Sequence, residues 1–287
     1  MPSPLSAPTR GAMWMTTAIV LFSAMTVLIR MLTADIPVHQ IVCVRGVVSV
    51  LLLVPWLASQ GVQSLATRRF GLLMGRGVLT SIGLLTWIYA IARIPLAEAV
   101  ALHFTLPLFG ILLAAYFLGE KLDRQRWMVT IVGFLGTLVI LRPGIESLEI
   151  LSLVVLLSAL AYAGTGIQTK LLVRTETSAA IVFYVSAFTA VAFGIPCLFD
   201  WVEPDLLQWS MLVGVAVFNV TAQSCMNRAF AAADASFILP FDFLRLPFAV
   251  VAGYFLFAET PDLWTIAGAA VIFGATYYNT QKERRRT

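Results

Sequence analysis

Charged side chains are scarce in this chain: Asp, Glu, Lys and Arg make up only 12% of its 287 residues. A soluble domain carries about 25% charged residues, so this chain lacks the polar side chains needed to cover a core in water. Hydrophobic residues account for 60% of the chain. Apolar runs of about 20 residues, enough for a helix to cross a bilayer, recur throughout. The composition therefore excludes an ordinary soluble protein and predicts an all-α polytopic membrane protein.

Residues for catalysis and metal binding are equally few. The chain has 2 histidines, His39 and His103, and 3 cysteines that lie far apart within apolar runs. It contains no His-Glu-x-x-His or Gly-x-Ser-x-Gly motif and no Gly-x-x-x-x-Gly-Lys-Ser/Thr loop. These absences argue against an enzyme, a disulfide framework, a metal site and a bound cofactor. They also exclude transport powered by ATP hydrolysis within this chain.

Hydropathy, with Pro, Gly and charges as boundaries, predicts ten membrane-spanning helices joined mostly by short loops. The first span is interpreted as retained, because no small-residue cleavage site of a signal peptide precedes it. No connection is long enough to hold a soluble domain. The predicted spans are 12–31, 38–58, 71–92, 96–118, 126–142, 148–171, 178–199, 206–229, 235–257 and 263–280.

Basic residues are distributed unevenly between the two sides of the membrane that these spans define. Most Lys and Arg at span ends share a side with the N-terminus, and the other side has only Arg30, Arg93 and Arg142. The positive-inside rule then predicts a cell inner (plasma) membrane protein with both termini cytoplasmic and residues 281–287 as a basic cytoplasmic tail. Topology and contact with membrane lipids explain the net charge of +4, and no nucleic-acid partner is implied.

The chain resembles itself across its two halves. Residues 90–120 match residues 229–259 through an opening Ala-x-Ala, a central Leu-Pro, a Tyr-Phe-Leu run and a terminal Glu. The first repeat is therefore predicted as 1–143 and the second as 148–280, each with five spans. An odd number of spans forces the second copy into the membrane upside down. Such inverted repeats are typical of secondary transporters.

These paired motifs, with a glycine-bearing final helix in each half (VGFLG and AGAAVIFG), resemble the EamA branch of the drug/metabolite transporter superfamily. Within that branch they are most similar to the YddG-type amino-acid exporters. The resemblance implies alternating access and export of amino acids with broad specificity, including neutral and aromatic ones. A polyamine, S-adenosylmethionine or nucleotide-sugar carrier and a lipid flippase remain open. A small-molecule substrate and membrane lipids are the partners implied, and a monomer is the simplest form.

The stretch FDFLRLPF at 241–248 places two charges and a proline inside an otherwise apolar span. A charge near the bilayer midplane costs roughly 2.5–3.5 kcal/mol on insertion scales. Asp242 and Arg245 lie one turn apart, so they either neutralise each other or face a cavity that receives a charged or zwitterionic solute. Pro247 lacks a backbone N–H, and it is predicted to kink this span as a hinge.

The repeat relates His103 in the fourth span to Asp242 in the ninth, and it makes Pro107 a second predicted hinge. His103 is either a proton-coupling group that titrates near neutral pH or a packed, hydrogen-bonded histidine. In the third span Arg76 and Trp87 share one face. Trp87 either lines the cavity, as predicted for the site, or packs against lipid or the core. Arg76 either joins that pore wall or, lying close to the cytoplasmic end, snorkels to the membrane surface.

Polar residues of other spans complete the candidate site. Asn219, Gln223 and Asn227 recur every fourth residue of the eighth span, facing either a cavity or a partner helix. Gln168 in the sixth span is a weaker candidate, and Arg45 in the second is interpreted as structural. The resemblance implies a cavity lined by spans 1, 3, 4, 6, 8 and 9. The residues predicted to bind substrate are Trp87, His103, Tyr162, Asn219, Gln223, Asp242 and Arg245.

Overall fold

Every described element of the chain is helical. The computed structural model describes residues 6–91, 102–120, 124–141, 150–245 and 263–284, and no strand occurs within these ranges. Two short 3₁₀ helices, Val62–Leu65 and Leu239–Leu244, accompany the α-helices. The α-helices are α1 (Ala7–Leu32), α2 (Val38–Gln60), α3 (Phe70–Ile91), α4 (Leu106–Leu118), α5 (Arg124–Leu141), α6 (Ile150–Leu172), α7 (Ser178–Cys197), α8 (Leu206–Ala232), α9 (Ala235–Ile238) and α10 (Leu263–Arg284).

Six of these helices are long and apolar enough to cross a membrane: α1, α2, α3, α6, α7 and α8. Three of them, α2, α7 and α8, begin at the residues predicted from the sequence, Val38, Ser178 and Leu206. Within the described residues the other four predicted spans contain shorter apolar helical segments. The structure thus supports six of the ten predicted crossings. The last helix, α10, continues through Arg284, into the first part of the predicted tail.

Local sequence signals fix several helix ends. A capping box opens α8, because the Asp205 carboxylate accepts from the Gln208 backbone N–H and the Gln208 side chain accepts from the Asp205 backbone N–H. The Thr177 hydroxyl oxygen caps α7 and lies 3.2 Å from the backbone nitrogen of Ala180. At Gly119 φ is +65°, a left-handed conformation that ends α4 at little steric cost because glycine has no β-carbon.

The helices of residues 7–141 pack against those of residues 150–284. The principal pairs are α1 with α8, α3 with α6, α2 with α7, and α5 with α10. Glycine permits close approach in the α2–α7 pair, where a β-carbon at Gly46 would lie 2.8 Å from the backbone nitrogen of Ala190. The two halves therefore interlock instead of forming separate globular units.

The helices that open the two halves, α1 and α6, run in opposite directions across the bundle. Near the start of α1, Gly11 lies against Ala233, just past the end of α8, so these two packed helices are antiparallel. Lys170 near the end of α6 donates to the Phe230 carbonyl at the end of α8, at 2.7 Å. α6 therefore ends where α1 begins. This end of the bundle, where α1 begins and α6 and α8 end, is called the amino-terminal end below.

The largest hydrophobic core cluster closes the amino-terminal end. It joins the first part of α1, the end of α8, α9 and the 3₁₀ helix Leu239–Leu244 to α4 and α6. Phe230 and Phe243 are each only 1% exposed, and Phe237 is fully buried. Burial of this aromatic surface stabilises the packing of these elements at the amino-terminal end.

Two charged side chains clamp the loop between α8 and α9. The Glu120 carboxylate accepts hydrogen bonds from the backbone N–H groups of Ala235 and Ser236, each at 2.9 Å, and from the Ser236 hydroxyl. Lys170 donates to the carbonyls of Phe230 and Ala233. A carboxylate thus meets the N-terminus of α9 and an ammonium meets the C-terminus of α8, the charge signs that the two helix dipoles favour.

The ninth predicted span departs from a continuous helix with one kink. α9 ends at Ile238 and the chain tightens into the 3₁₀ helix Leu239–Leu244. Pro240, in the first turn of that 3₁₀ helix, removes a backbone donor where the α-helix stops. The distortion therefore precedes the predicted hinge Pro247, which lies outside the described residues.

Pro107, the other predicted hinge, stands in the first turn of α4. A turn at residues 104–105 separates α4 from the helical residues 102–103. Proline is well tolerated at a helix start, where its missing N–H would have had no partner. The interruption of the fourth span therefore lies just before Pro107, between two helical segments.

Candidate functional site

Three aromatic side chains from separate segments meet in the interior. The His103 ring lies 4.6 Å from the Trp87 ring of α3 and 5.7 Å from the Tyr162 ring of α6, measured between centroids. The interplanar angles are 58° and 70°, so the rings form an open, tilted arrangement. All three side chains are half-buried. They form a group that we call the aromatic cluster.

Gly83 allows Tyr162 to reach this position. A β-carbon at Gly83 would lie 3.0 Å from the Tyr162 ring, closer than ordinary contact. The Gly83 carbonyl also accepts a hydrogen bond of 2.7 Å from the buried Ser158 hydroxyl of α6. A small residue on α3 therefore brings α6 close enough for the rings from the two helices to share one site.

Two guanidinium groups lie within electrostatic reach of the aromatic cluster. The positive charges of Arg45 on α2 and Arg245 both act on Tyr162, and that of Arg245 also acts on His103. Arg45 Nε is buried and has no hydrogen-bond partner in the described part of the chain. The Arg245 guanidinium also lies over the Phe22 ring of α1, 5.1 Å from its centroid.

Asp242 and Arg245 form the ion pair that their spacing predicts. Arg245 Nε lies 2.7 Å from Asp242 Oδ1. In a 3₁₀ helix side chains three residues apart are eclipsed, which brings these two together. The Nε–H does not point at the carboxylate, so the contact is ionic without a well-aligned hydrogen bond. The Arg245 side chain is 41% exposed and that of Asp242 only 8%, so Arg245 keeps an accessible face.

Arg76 is buried, and the predicted snorkelling toward the membrane surface is wrong. Only 2% of the residue is exposed, and Arg76 Nη2 donates to Gln223 Oε1 of α8 at 3.0 Å. Its Nε and Nη1 atoms, and Gln168 Oε1 on α6, have no hydrogen-bond partner among the residues that the structure describes. Arg76 thus lies in the bundle interior, and not at the membrane interface as its closeness to the start of α3 suggested.

The amide stripe of α8 joins three different helices. Asn219 Nδ2 donates to the Ser49 hydroxyl of α2 at 3.1 Å, and Asn227 Nδ2 donates to the Ser178 hydroxyl of α7 at 3.1 Å. Gln223, between them, accepts from α3. Each amide has a protein partner, which is the arrangement expected for the partner-helix alternative.

The structure brings most of the predicted site residues to the bundle interior, but not into one group. His103 contacts both Trp87 and Tyr162, with Arg245 in electrostatic reach. Asn219, by contrast, is buried in a contact between helices. Two residues outside the predicted substrate-binding set, Arg45, which was interpreted as structural, and Arg76, also lie in this interior. The signal for Arg76 was its position on the face of α3 that also carries Trp87.

Comparison with known proteins identifies the relatives of this chain. Both halves match the EamA-like transporter family, over residues 9–142 and 150–281. A riboflavin transporter of Brucella anthropi is 37% identical over 239 residues, covering 81% of this chain and 84% of that protein. One of Vibrio cholerae is 31% identical over 287 residues, covering 98% and 96%.

An S-adenosylmethionine uptake transporter of Rickettsia bellii is also 31% identical, over 276 residues that cover 96% of this chain and 94% of that protein. A solved crystal structure covers 96% of this chain and 98% of its own with a TM-score of 0.83 and 17% identity, which shows a shared fold. The family match over both halves and the shared helical fold support the same assignment. The chain belongs to the EamA-like transporter family and is a multi-pass membrane transporter of small metabolites, not an enzyme.

Proposed function

We propose that this protein is a secondary carrier of riboflavin or a closely related flavin, working by alternating access. The observation that supports this most is the aromatic cluster of Trp87, His103 and Tyr162 beside the guanidinium groups of Arg45 and Arg245. Aromatic side chains stack on a planar fused-ring system. Guanidinium groups donate hydrogen bonds to the carbonyl oxygens and ring nitrogens that a flavin presents at its edge.

The balance of charge in this interior distinguishes a flavin from S-adenosylmethionine. Among the described residues the interior holds three guanidinium groups, those of Arg45, Arg76 and Arg245, but one buried carboxylate, Asp242, which is already paired with Arg245. S-adenosylmethionine carries a sulfonium, an ammonium and one carboxylate, so its net charge is positive. Like charges in a low-dielectric interior repel. A neutral flavin rich in acceptors avoids that repulsion.

The expectation of an amino-acid exporter gains no support from the relatives described above, whose names specify riboflavin and S-adenosylmethionine. A lipid flippase fits poorly as well. A lateral groove of about 610 Å³ opens between α1, the 3₁₀ helix Leu239–Leu244 and α10. Its lining is predominantly apolar, whereas a headgroup needs polar partners on its path through the bilayer.

The interlocked halves support the proposal of alternating access. α1 and α6 open their halves in opposite directions, so equivalent elements of the two halves lie at opposite ends of the bundle. The described conformation is closed at the amino-terminal end by the aromatic core and the Glu120–Lys170 clamp. We propose that this end faces the cytoplasm of an inner-membrane protein, and that Pro107 marks one of the hinges about which the halves move.

Counterflow into proteoliposomes that contain the purified full chain tests this function. Vesicles preloaded with riboflavin should accumulate labelled riboflavin saturably, and excess unlabelled riboflavin should block this accumulation. Excess S-adenosylmethionine or tryptophan should leave it unchanged. Trp87→Ala should weaken riboflavin binding by about 10-fold or more, the scale of one lost stacking partner. Trp264→Ala, at a residue that is 58% exposed, is the matched control.

Inhibition by S-adenosylmethionine as strong as that by riboflavin would reassign the substrate to the sulfonium class. Accumulation of labelled tryptophan without any flavin counterflow would support the amino-acid exporter hypothesis instead.

A further inference from the structure

Arg76 is a buried cation that has no carboxylate partner among the residues that the structure describes. At 2% exposure it is the largest side chain buried to this degree among the described residues. It holds one hydrogen bond, to the neutral Gln223 amide. Its Nε and Nη1 atoms have no partner in the described ranges. Burying a charge without an ionic partner costs folding free energy. A methionine of similar size would avoid this cost, so an arginine in this apolar span points to a role that needs its hydrogen-bond donors or its charge.

The side chain is aimed at the bundle interior. Val78, Leu85 and Tyr89 lie on one face of α3 and are 42%, 55% and 48% exposed. At 100° per residue, Arg76 and Trp87 fall on the opposite face. The Nη2 contact with Gln223 on α8 points the guanidinium across the interior in the same direction.

Arg76 lies below the aromatic cluster, on the side of the amino-terminal end. Gly83 of α3 is level with Tyr162, because their contact joins α3 to α6. Gly75 is level with Gln168, whose Nε2 atom would lie 3.1 Å from a β-carbon there. The seven residues from Gly83 to Arg76 span about 10 Å at the helical rise of 1.5 Å per residue. A flavin seated against the rings can extend its flexible side chain over that distance.

We infer that Arg76, positioned by Gln223, is a second recognition subsite that reads acceptor oxygens on the chain attached to the substrate ring. This inference rests on the proposed flavin function and divides the site into two parts. The aromatic cluster takes the ring system. Arg76 offers two free donor groups to hydroxyl or phosphate oxygens of the chain, and Gln168 Oε1 adds an unused acceptor for a hydroxyl.

In the described conformation Arg76, which lies on the side of the amino-terminal end, is almost fully buried. Its contact with the substrate therefore belongs to the conformation in which this end opens. Binding measured at equilibrium samples both conformations, so the contact contributes to the observed affinity.

Binding of three flavins that share a ring and differ in the chain tests this inference. The probes are riboflavin with its polyhydroxyl chain, lumiflavin with a methyl group in its place, and flavin mononucleotide with a terminal phosphate. Their fluorescence is followed as the full-length protein in lipid nanodiscs is added. The wild type should bind riboflavin more tightly than lumiflavin. In Arg76→Met, riboflavin affinity should fall by about 10- to 100-fold, the range of a charge-assisted hydrogen bond, while lumiflavin affinity stays within about 3-fold.

Arg76→Lys keeps the charge without the planar fork, so it should retain part of the preference for riboflavin over lumiflavin. Val78→Ala, on the lipid-facing side of the same helix, should leave the preference unchanged. Tighter wild-type binding of flavin mononucleotide than of riboflavin, lost in Arg76→Met, identifies phosphate as the group read. Weaker binding of the mononucleotide identifies the hydroxyls.

Equal losses for riboflavin and lumiflavin in both Arg76 variants would overturn the inference, because a structural role lowers both affinities together. A wild type that does not distinguish the two flavins would overturn it as well, and in both cases the proposed function would stand. Failure of the folded wild type to bind any of the three flavins would remove the proposed function and this inference together.

Discussion

Replacing Glu120 with alanine should open the amino-terminal end of the bundle. Its carboxylate is the acceptor for two backbone N–H groups at the start of α9 and for the Ser236 hydroxyl. Glu120→Ala removes all three contacts and leaves the first turn of α9 with unsatisfied donors. The neighbouring Lys170 also loses a nearby negative charge. The loop between α8 and α9 is then held by the Lys170 hydrogen bonds and the aromatic core.

The size of the effect follows from the kind of bond lost. A hydrogen bond to a charged group contributes about 1.5–3 kcal/mol, and a lost N-cap costs about 0.5–2 kcal/mol. The clamp is partly exposed and its bonds are not additive, so about 2–3 kcal/mol for the whole set is expected. Since 1.36 kcal/mol corresponds to a factor of ten, the population of the locally open state should rise by about 30- to 150-fold.

Amide hydrogen exchange of the full chain in nanodiscs measures this population directly. Peptides that contain Ala235 and Ser236 should exchange faster by the factor given above. Glu176→Ala is the matched control, because that carboxylate lies past the end of α6 and accepts from the Thr67 hydroxyl at 2.8 Å, a side-chain contact. It should leave the exchange of the Ala235 peptide within about 3-fold. Unchanged exchange in Glu120→Ala, or an equal rise in the control, would show that the clamp does not hold this end closed.

Two further substitutions test the geometry of the site. Gly83→Ala places a β-carbon 3.0 Å from the Tyr162 ring, so flavin affinity should fall by about 10-fold, roughly one stacking partner. Gly71→Ala on the same helix meets nothing within 4 Å and should bind normally; matching losses in the two variants would mean that Tyr162 is not what matters. Asp242→Asn unpairs Arg245, whose 41% exposure limits the cost to about 1–2 kcal/mol of unfolding free energy. Thermal unfolding should show this loss, and a further Arg245→Gln substitution should recover most of it; a double variant no more stable than Asp242→Asn would contradict an ion pair.

Hydropathy and local signals predict the long helices of this chain well. The starts of α2, α7 and α8 coincide with the predicted residues because the proline or capping side chain just before each of them acts within a few residues. The Asp242–Arg245 pair was likewise within reach, since its spacing alone brings the side chains together. These are contacts between neighbours in the sequence.

Which side chains lie in the bundle interior is decided by the tertiary packing, and on this point the sequence-based prediction for Arg76 was wrong. Depth from the start of α3 suggested that Arg76 reaches the membrane surface, but the packing of α6 and α8 encloses it. Pro247 was predicted as the hinge of the ninth span because it lacks a backbone N–H; it lies outside the described residues, and within them the helix already changes form at Pro240. A sequence pattern shows which residues share one face of a helix. Whether that face contacts protein, lipid or a cavity depends on the helices packed against it.

The pairing of α1 with α8 and of α3 with α6 has a consequence for how the protein is made. During synthesis α1 enters the membrane long before its partner exists. At 5–20 residues per second, the stretch from the end of α1 to the end of α8 takes roughly 10–40 s to appear. Ala18, Ile19 and Phe22, which α1 buries in the finished protein, can wait in lipid without cost. The charged Arg76 side chain cannot lie in lipid without cost, and its partner Gln223 is synthesised about 150 residues later, on α8. We therefore expect α3 to depend on the insertion machinery until α8 has entered the membrane.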